Sequence, residues 1–322
     1  MKRLFIILFA FIVSFGLAEF IINNILGYPK RTGQRKFAYA SHIINSEVLK
    51  WKSPYTKYWT VEGGNNVFSY NNIGLPGADV SIDDSSKIIF MLGDSFLEAM
   101  QVNPKKMAVS VFADLLKNTN YRPLNLGSPN NDPYLLWFRS NFYEKYYKPD
   151  YVCLLVTCLE VLDLNFQNYT GAFNFTLPDN FGIRINDSKL EVFANVFRNN
   201  LASVNLIANG LNNYNSKQES IQSVTYSVSD TVNYANDVSR LKECLIKYKS
   251  KYGEKFFVVS MEPDDGNNKL LVSACDSLKI PYARKNLLVK ENILEGGSHL
   301  NELGNQKLGE LFYDTFIKLY KK

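Results

Sequence analysis

The chain opens on an uncharged, largely apolar stretch, Leu4 to Ala18, preceded by Lys2 and Arg3 and closed by Glu19. Residues 27 to 87 are polar and irregular, with a turn signal at Gly63-Gly64-Asn65-Asn66. From residue 88 the pattern changes to short apolar runs alternating with amphipathic stretches. Ile88 to Leu92 is continuously apolar, as expected of a strand covered on both faces. Val109, Phe112 and Leu116 follow at helical spacing. Residues 122–127 predict a second strand, and 132–148 a helix with Asp132 at the cap and Pro133 in its first turn. Residues 151–159 predict a third buried strand. The alternation then lapses over about 161–230, a stretch rich in Asn and Ser, with a hairpin expected around 181–193 and a helix around 196–211. It resumes with a stripe of Val238, Leu241, Leu245 and Tyr248 that ends near Gly253. A strand at 255–261, a helix at 268–278 and a weak strand at 281–286 follow. Leu308, Leu311, Phe312, Phe316 and Leu319 predict a C-terminal helix.

Strands alternating with helices predict an α/β fold, a three-layer α/β/α sandwich around a central parallel sheet of the flavodoxin-like kind. The expected organisation is a signal anchor or signal peptide at 1–26, an N-terminal extension at 27–87, and a main domain at 88–322 carrying the 161–230 insertion. The Leu4–Ala18 run suits the hydrophobic region of a signal peptide, with small residues Gly16 and Ala18 before a cleavage point. Counted on to Leu26, the segment reaches the length of a membrane span. Lys30, Arg31, Arg35 and Lys36 compete with Lys2 and Arg3 in setting its orientation. Because a hydrophobic segment at the extreme N-terminus acts as an export signal, the expectation is an extracytoplasmic domain, membrane-tethered or, if the leader is cut, secreted.

A chain of 322 residues that is 46% hydrophobic and 14% aromatic can build a sizeable core and is unlike a disordered sequence. A net charge of +5, scattered outside the N-terminus, gives no reason to expect nucleic acid. Cys153 and Cys158 share one predicted strand and would lie roughly 16 Å apart, too far for a bridge. Cys244 and Cys275 fall on two predicted helices and would pair only if those helices adjoin, so buried free thiols are expected. No Cys/His spacing suggests a metal, and no glycine-rich phosphate loop suggests a nucleotide cofactor.

The candidate chemistry lies where the first core strand stops, at Gly93-Asp94-Ser95. Ligands of parallel sheets bind beyond the carboxyl ends of the strands. A serine there, at the start of a helix, has free backbone N–H groups beside it for an oxyanion. Serine is a weak nucleophile without a base. The chain has two histidines, His42 in the polar extension and His299 just before the last helix. His299 is the better partner, since the final loop of such a sheet can fold back over the first strand's end. Gly-Asp-Ser alone is common turn chemistry, and a lone His before a helix is commonly a surface residue. Their joint occurrence in an alternating strand–helix chain is the stronger signal.

These residues resemble a known family. Residues 90–102, "FMLGDSFLEAMQV", resemble the first block of the GDSL/SGNH hydrolases, in which the serine is the nucleophile. Residues 299–305, "HLNELGN", resemble the last block, in which the histidine is the base. Residues 123–139 resemble the second block, whose glycine, here Gly127, donates a backbone N–H to the oxyanion hole. "SYNNIGLPG", residues 69–77, resembles a lead-in of membrane-anchored bacterial members. The resemblance covers about 69–160 and 255–320 and implies an SGNH-type fold.

The sequence departs from the family at two points. Where the third block supplies an oxyanion-hole asparagine, this chain has Leu159 and Glu160; Asn130 or Asn131 would have to substitute. Where the family has an aspartate two or three residues before the histidine, this chain has Gly297 and Gly296. Glu295 stands one residue further back, and Asp264 and Asp265 are alternative orienters. Asp94 is expected to support the loop beside the serine. The resemblance implies an exported esterase in which Ser95 and His299 act, with Glu295 orienting the ring and Ser95, Gly127 and Asn130 holding the oxyanion. Its expected substrate is an ester, such as an O-acetyl group, on a surface carbohydrate, and no cofactor is needed. Acyl transfer or lipid-ester hydrolysis would use the same parts. A catalytically degenerate glycan-binding protein is the alternative from another class; Phe166, Tyr169, Phe173 and Phe175 would then stack on sugars or simply pack.

Overall fold

The computed structural model describes residues 2–25, 54–55, 57–60, 66–129, 133–157, 173–176, 182–185, 203, 234–262, 266–295 and 297–320. The chain divides into two compact units, one of residues 1–33, 57–59 and 187–230, the other of 34–56, 60–186 and 231–322.

In the smaller unit, helix α1 runs Lys2–Phe20 and passes into one wider turn, Ile21–Ile25. Its apolar side chains are exposed all round, Phe5, Ile7 and Phe11 each about two-thirds or more (70%, 66% and 67%). Glu19 Oε1 accepts the Ser203 backbone N–H at 2.9 Å. The expected membrane span is corrected here. Among the described residues no helix is long and apolar enough to cross a membrane. Lys2 and Arg3 at one end and Glu19 at the other leave an uncharged stretch of only about 22 Å at 1.5 Å per residue, against a hydrocarbon layer of about 30 Å.

The larger unit holds the sheet. Its strands are β3 (Lys87–Leu92), β4 (Tyr121–Asn125), β5 (Tyr151–Val156), β8 (Phe256–Ser260) and β9 (Tyr282–Arg284). They are parallel throughout, in the order β4-β3-β5-β8-β9. Two short strands, β1 (Lys57–Thr60) and β2 (Asn66–Ser69), precede the sheet in the chain. An antiparallel hairpin, β6 (Phe173–Thr176) with β7 (Gly182–Ile185), leaves it after β5. The helices are α2 (Ser95–Glu98), α3 (Ala108–Leu115), α4 (Pro133–Tyr143), α5 (Tyr234–Tyr252), α6 (Gly266–Leu278) and α7 (Glu302–Tyr320).

The two-residue period of a strand explains the three layers. Ile88, Phe90 and Leu92 of β3 join a core with Tyr134, Leu245, Tyr248 and Cys275, beneath α4, α5 and α6. Ile89 and Met91 join the opposite core with Phe112, Phe312 and Phe316, beneath α3 and α7. Each large apolar side chain buried in this way contributes roughly 1.5–3 kcal/mol before chain entropy is subtracted. The α3–α7 layer is tight because Gly309 has no side chain: a Cβ there would sit 2.6 Å from the Ala108 carbonyl oxygen.

Some expectations shift. The hairpin expected over 181–193 would make 182–185 its first strand; β7 is instead the second strand of a hairpin with β6, and 186–193 lie outside the described residues. Helix α4 stops at Tyr143, and β5 at Val156. Of the helix expected over 196–211, only Ser203 lies within the described residues. Cys153, Cys244 and Cys275 are buried thiols outside any disulfide, even though α5 and α6 pack together. Burial pushes the Cys275 thiol up to about 12 and Cys153 well above its usual value. Cys158 lies outside the described residues.

Candidate active site

Strand β3 ends at Leu92, and Gly93 allows the chain to turn there. A Cβ on Gly93 would lie 2.9 Å from the Cβ of Leu97 and 3.2 Å from that of Leu155. Asp94 is the N-cap of α2: its Oδ1 accepts the Phe96 N–H at 2.9 Å, and its Oδ2 accepts the Thr157 hydroxyl at 3.3 Å from beyond the end of β5. Ser95 is therefore the first residue of a one-turn helix at the carboxyl edge of the sheet. Among the described residues, its backbone N–H has no acceptor. The turn closes on Ala99, which takes a left-handed conformation (φ 50, ψ 42) and donates its N–H to the Ser95 carbonyl.

His299 arrives from the far end of the chain on a heavily tied loop. Its carbonyl accepts the Leu294 N–H at 3.0 Å, and Ile293 and Leu300 form an isolated bridge. The Leu300 carbonyl accepts from Gln101 Nε2 at 3.4 Å and from Asn305 Nδ2 at 3.2 Å. Asn305, fully buried, also takes the Ala108 N–H on its Oδ1 at 3.1 Å, so one side chain ties the loop to the start of α3. Asn301 caps α7 through the Gly304 N–H at 2.9 Å. Gly304 cannot carry a side chain, since its Cβ would lie 2.4 Å from the Asn292 carbonyl oxygen. These contacts account for the Asn-x-x-Gly-Asn step that follows the histidine.

The result is a contact across 204 positions of sequence: His299 Nε2 lies 2.8 Å from Ser95 Oγ. The Phe96 ring rests against the imidazole, centroids 5.0 Å apart and planes 48° apart. On the far side of the ring, Ser298 Oγ is 3.4 Å from Nδ1. With the proton on Nδ1, Nε2 accepts the Ser95 hydroxyl proton, the arrangement a general base needs. Burial pushes the Asp94 carboxyl up to about 6, although the Phe96 N–H, the charge of His299 and the Thr157 hydroxyl each pull it down.

The other expected residues divide. Gly127 lies beside α2, where a Cβ would meet the Glu98 nitrogen at 2.4 Å, so only glycine fits. Its N–H donates to Asn125 Oδ1 at 2.9 Å, and Asn125 Nδ2 donates to the Leu97 carbonyl at 2.8 Å. Glu295 is exposed and makes no hydrogen bond or ion pair with His299. His42, Asn130, Asn131, Leu159, Glu160, Phe166, Tyr169, Asp264 and Asp265 lie outside the described residues, and the side chains of Phe173 and Phe175 are not described. Among the described residues no cluster of His, Cys, Asp and Glu could hold a metal ion.

Several supporting residues had no signature in the sequence. Arg139 is buried, donates from Nε to the Leu126 carbonyl at 2.7 Å and lies 5.1 Å from the centre of the Tyr143 ring. Its spacing on α4 reads as a solvent-facing charge. Thr157, which meets Asp94, reads as the polar end of a strand. Glu98 and Tyr70, both buried, share a hydrogen bond of 2.8 Å. For this pair the one hint in the sequence is an acidic residue in an otherwise apolar "FLEAM".

No family model matches the chain, and no curated protein matches it. Among solved structures it is similar to TesA, at 12% identity over 72% of this chain and 99% of that one, with a TM-score of 0.41. It is also similar to the psychrotrophic esterase EstA from Pseudoalteromonas sp. inhibited by monoethylphosphonate, at 11% identity over 74% of this chain and 100% of that one, with a TM-score of 0.42. A third is the acetyl xylan esterase AlAXEase, at 13% identity over 70% of this chain and 98% of that one, with a TM-score of 0.39.

Proposed function

We propose that this chain is an exported serine esterase of the SGNH type, with Ser95 as nucleophile and His299 as general base. The observation that carries the reading is the 2.8 Å contact between Ser95 Oγ and His299 Nε2 at the carboxyl edge of the parallel sheet. Its first and last sequence blocks are the two that resemble the family most closely.

In this reading His299 takes the Ser95 proton as Oγ attacks the acyl carbonyl, forming a C–O bond and an oxyanion. The Ser95 N–H, at the start of α2, faces the developing charge. The Gly127 N–H, already bonded to Asn125 Oδ1, joins only by sharing its proton between the two acceptors. The imidazolium returns the proton to the leaving alcohol as the ester bond breaks. Water, activated by the same imidazole, then releases the acid from the acyl-enzyme. If a second alcohol replaces water, the same steps transfer the acyl group. The buried Asp94 carboxylate supports the imidazolium through space.

The substrate class that the motifs imply is an O-acetyl ester of a surface carbohydrate. The apolar α1, with Lys2 and Arg3 in its first turn, is read as the export signal that brings the domain to that surface. Acetate release from acetylated oligosaccharides tests the activity. Ser95→Ala is expected to lower the rate at least about 1,000-fold. A Ser95→Ala protein that releases acetate as fast as the parent would overturn the proposal. A folded parent that releases none on any ester tried would favour the glycan-binding alternative.

A further inference from the structure

Helix α2 is a single turn of four residues, and a helix this short does not hold itself, because nucleation fixes several dihedrals for one hydrogen bond. Asp94 secures its first residue. Its C-cap is Ala99, a left-handed residue with a Cβ, a conformation that L-residues disfavour because the Cβ crowds the following carbonyl oxygen. Something must hold that end if Ser95 is to keep its aim.

The Tyr70 hydroxyl donates to Glu98 Oε1 at 2.8 Å and lies 3.8 Å from Met100 Sδ, so one atom brackets Ala99 from both sides in the chain. Tyr70 is itself fixed, packed edge-on against Phe68 with centroids 5.0 Å apart. It is followed by Asn71, whose Oδ1 accepts the Ile73 and Leu75 N–H groups at 3.1 and 2.9 Å. On the other side of the same turn stand Gly127 and the Asn125 amide. Tyr70 and Glu98 are 4% and 6% exposed. A purely apolar pair would fill this space without burying a carboxyl, so stability alone does not explain the polar contact.

We propose that Tyr70 and Glu98 are positioning residues for the nucleophile, holding the left-handed end of α2 so that Ser95 Oγ stays in line with His299. The inference rests on the reading of Ser95 as the nucleophile, and it makes the 66–78 segment part of the catalytic unit.

Steady-state ester hydrolysis by the full chain tests it, with thermal unfolding measured alongside. Tyr70→Phe, which removes one hydroxyl, is expected to lower kcat about 10-fold or more while KM moves less than about 3-fold, since a small misplacement of a reacting atom is felt in kcat. Glu98→Ala should do the same. Glu98→Gln, which keeps an acceptor oxygen, should stay within about 3-fold of the parent. Adding Ala99→Gly to Tyr70→Phe should recover most of the lost rate, because glycine takes the left-handed conformation unaided. Parental kcat in Tyr70→Phe and Glu98→Ala, in a protein that Ser95→Ala inactivates, would overturn the inference and leave the nucleophile standing. Losses that track unfolding and are not recovered by Ala99→Gly would also overturn it. Full activity in Ser95→Ala would instead remove the reading beneath it.

Discussion

Asp94 shows how one side chain serves both local structure and charge. It caps α2, accepts a hydroxyl from Thr157, and is still pushed up to about 6 because burial outweighs those hydrogen bonds. A carboxyl whose folded value lies above its unfolded value holds more protons when folded, so its contribution to stability falls as pH rises between about 4 and about 6. The full span of that loss is about 3 kcal/mol. Asp94→Asn keeps a cap acceptor and removes the titration. Denaturant unfolding at several pH values should show the variant gaining on the parent from pH 4 to 6, then holding a constant difference; parallel curves would refute the assignment. His299→Asn keeps a polar side chain but no base at Nε2, and is expected to lower ester turnover at least about 1,000-fold with the fold intact. A loss under 10-fold would mean that another group removes the serine proton. Glu295 is exposed, and its candidacy as the group that orients the imidazole rests on its position four residues before His299. Spacing in sequence says nothing about which way an exposed side chain turns from a Gly-Gly loop.

At the scale of elements, the apolar runs located the strands because a parallel sheet covered on both faces leaves few polar positions to confuse the reading. Every central strand was legible this way, and so was α7 from its 3.6-residue stripe. The short elements were not. Helix α2 has one turn and no periodicity to detect, and β6 lies within an Asn-rich stretch whose partner is chosen by pairing rather than by local preference. Glycine contacts were also hidden, because they depend on which two elements meet. Gly309 is the clearest case. In an exposed helix, Gly→Ala would stabilise by roughly 0.5–1 kcal/mol. Here the new methyl would sit 2.6 Å from the Ala108 carbonyl and 2.7 Å from Val111 Cβ. Overpacking of that kind costs about 1–3 kcal/mol, so Gly309→Ala should lower the unfolding midpoint. A raised midpoint would show that α3 and α7 separate easily.

For the whole molecule, the sequence made the meeting of Ser95 and His299 legible through two matching blocks some two hundred residues apart, and the sheet topology supplies the reason they meet. Strand β3 lies second in the order β4-β3-β5-β8-β9, and the loop before α7 folds back across its end. Export is a separate matter, tested by fusing alkaline phosphatase, which is active only where disulfides form, to the C-terminus of the full chain in a bacterial host. An active fusion is expected, and an inactive one at equal abundance would contradict export. The most direct test of the central claim is covalent labelling of the folded chain by a fluorophosphonate, with the modified peptide mapped by mass spectrometry. The account predicts one phosphonate, on Ser95, absent in Ser95→Ala and formed at least about 100-fold more slowly in His299→Asn. Labelling on another residue, or at an unchanged rate without the imidazole, would contradict it.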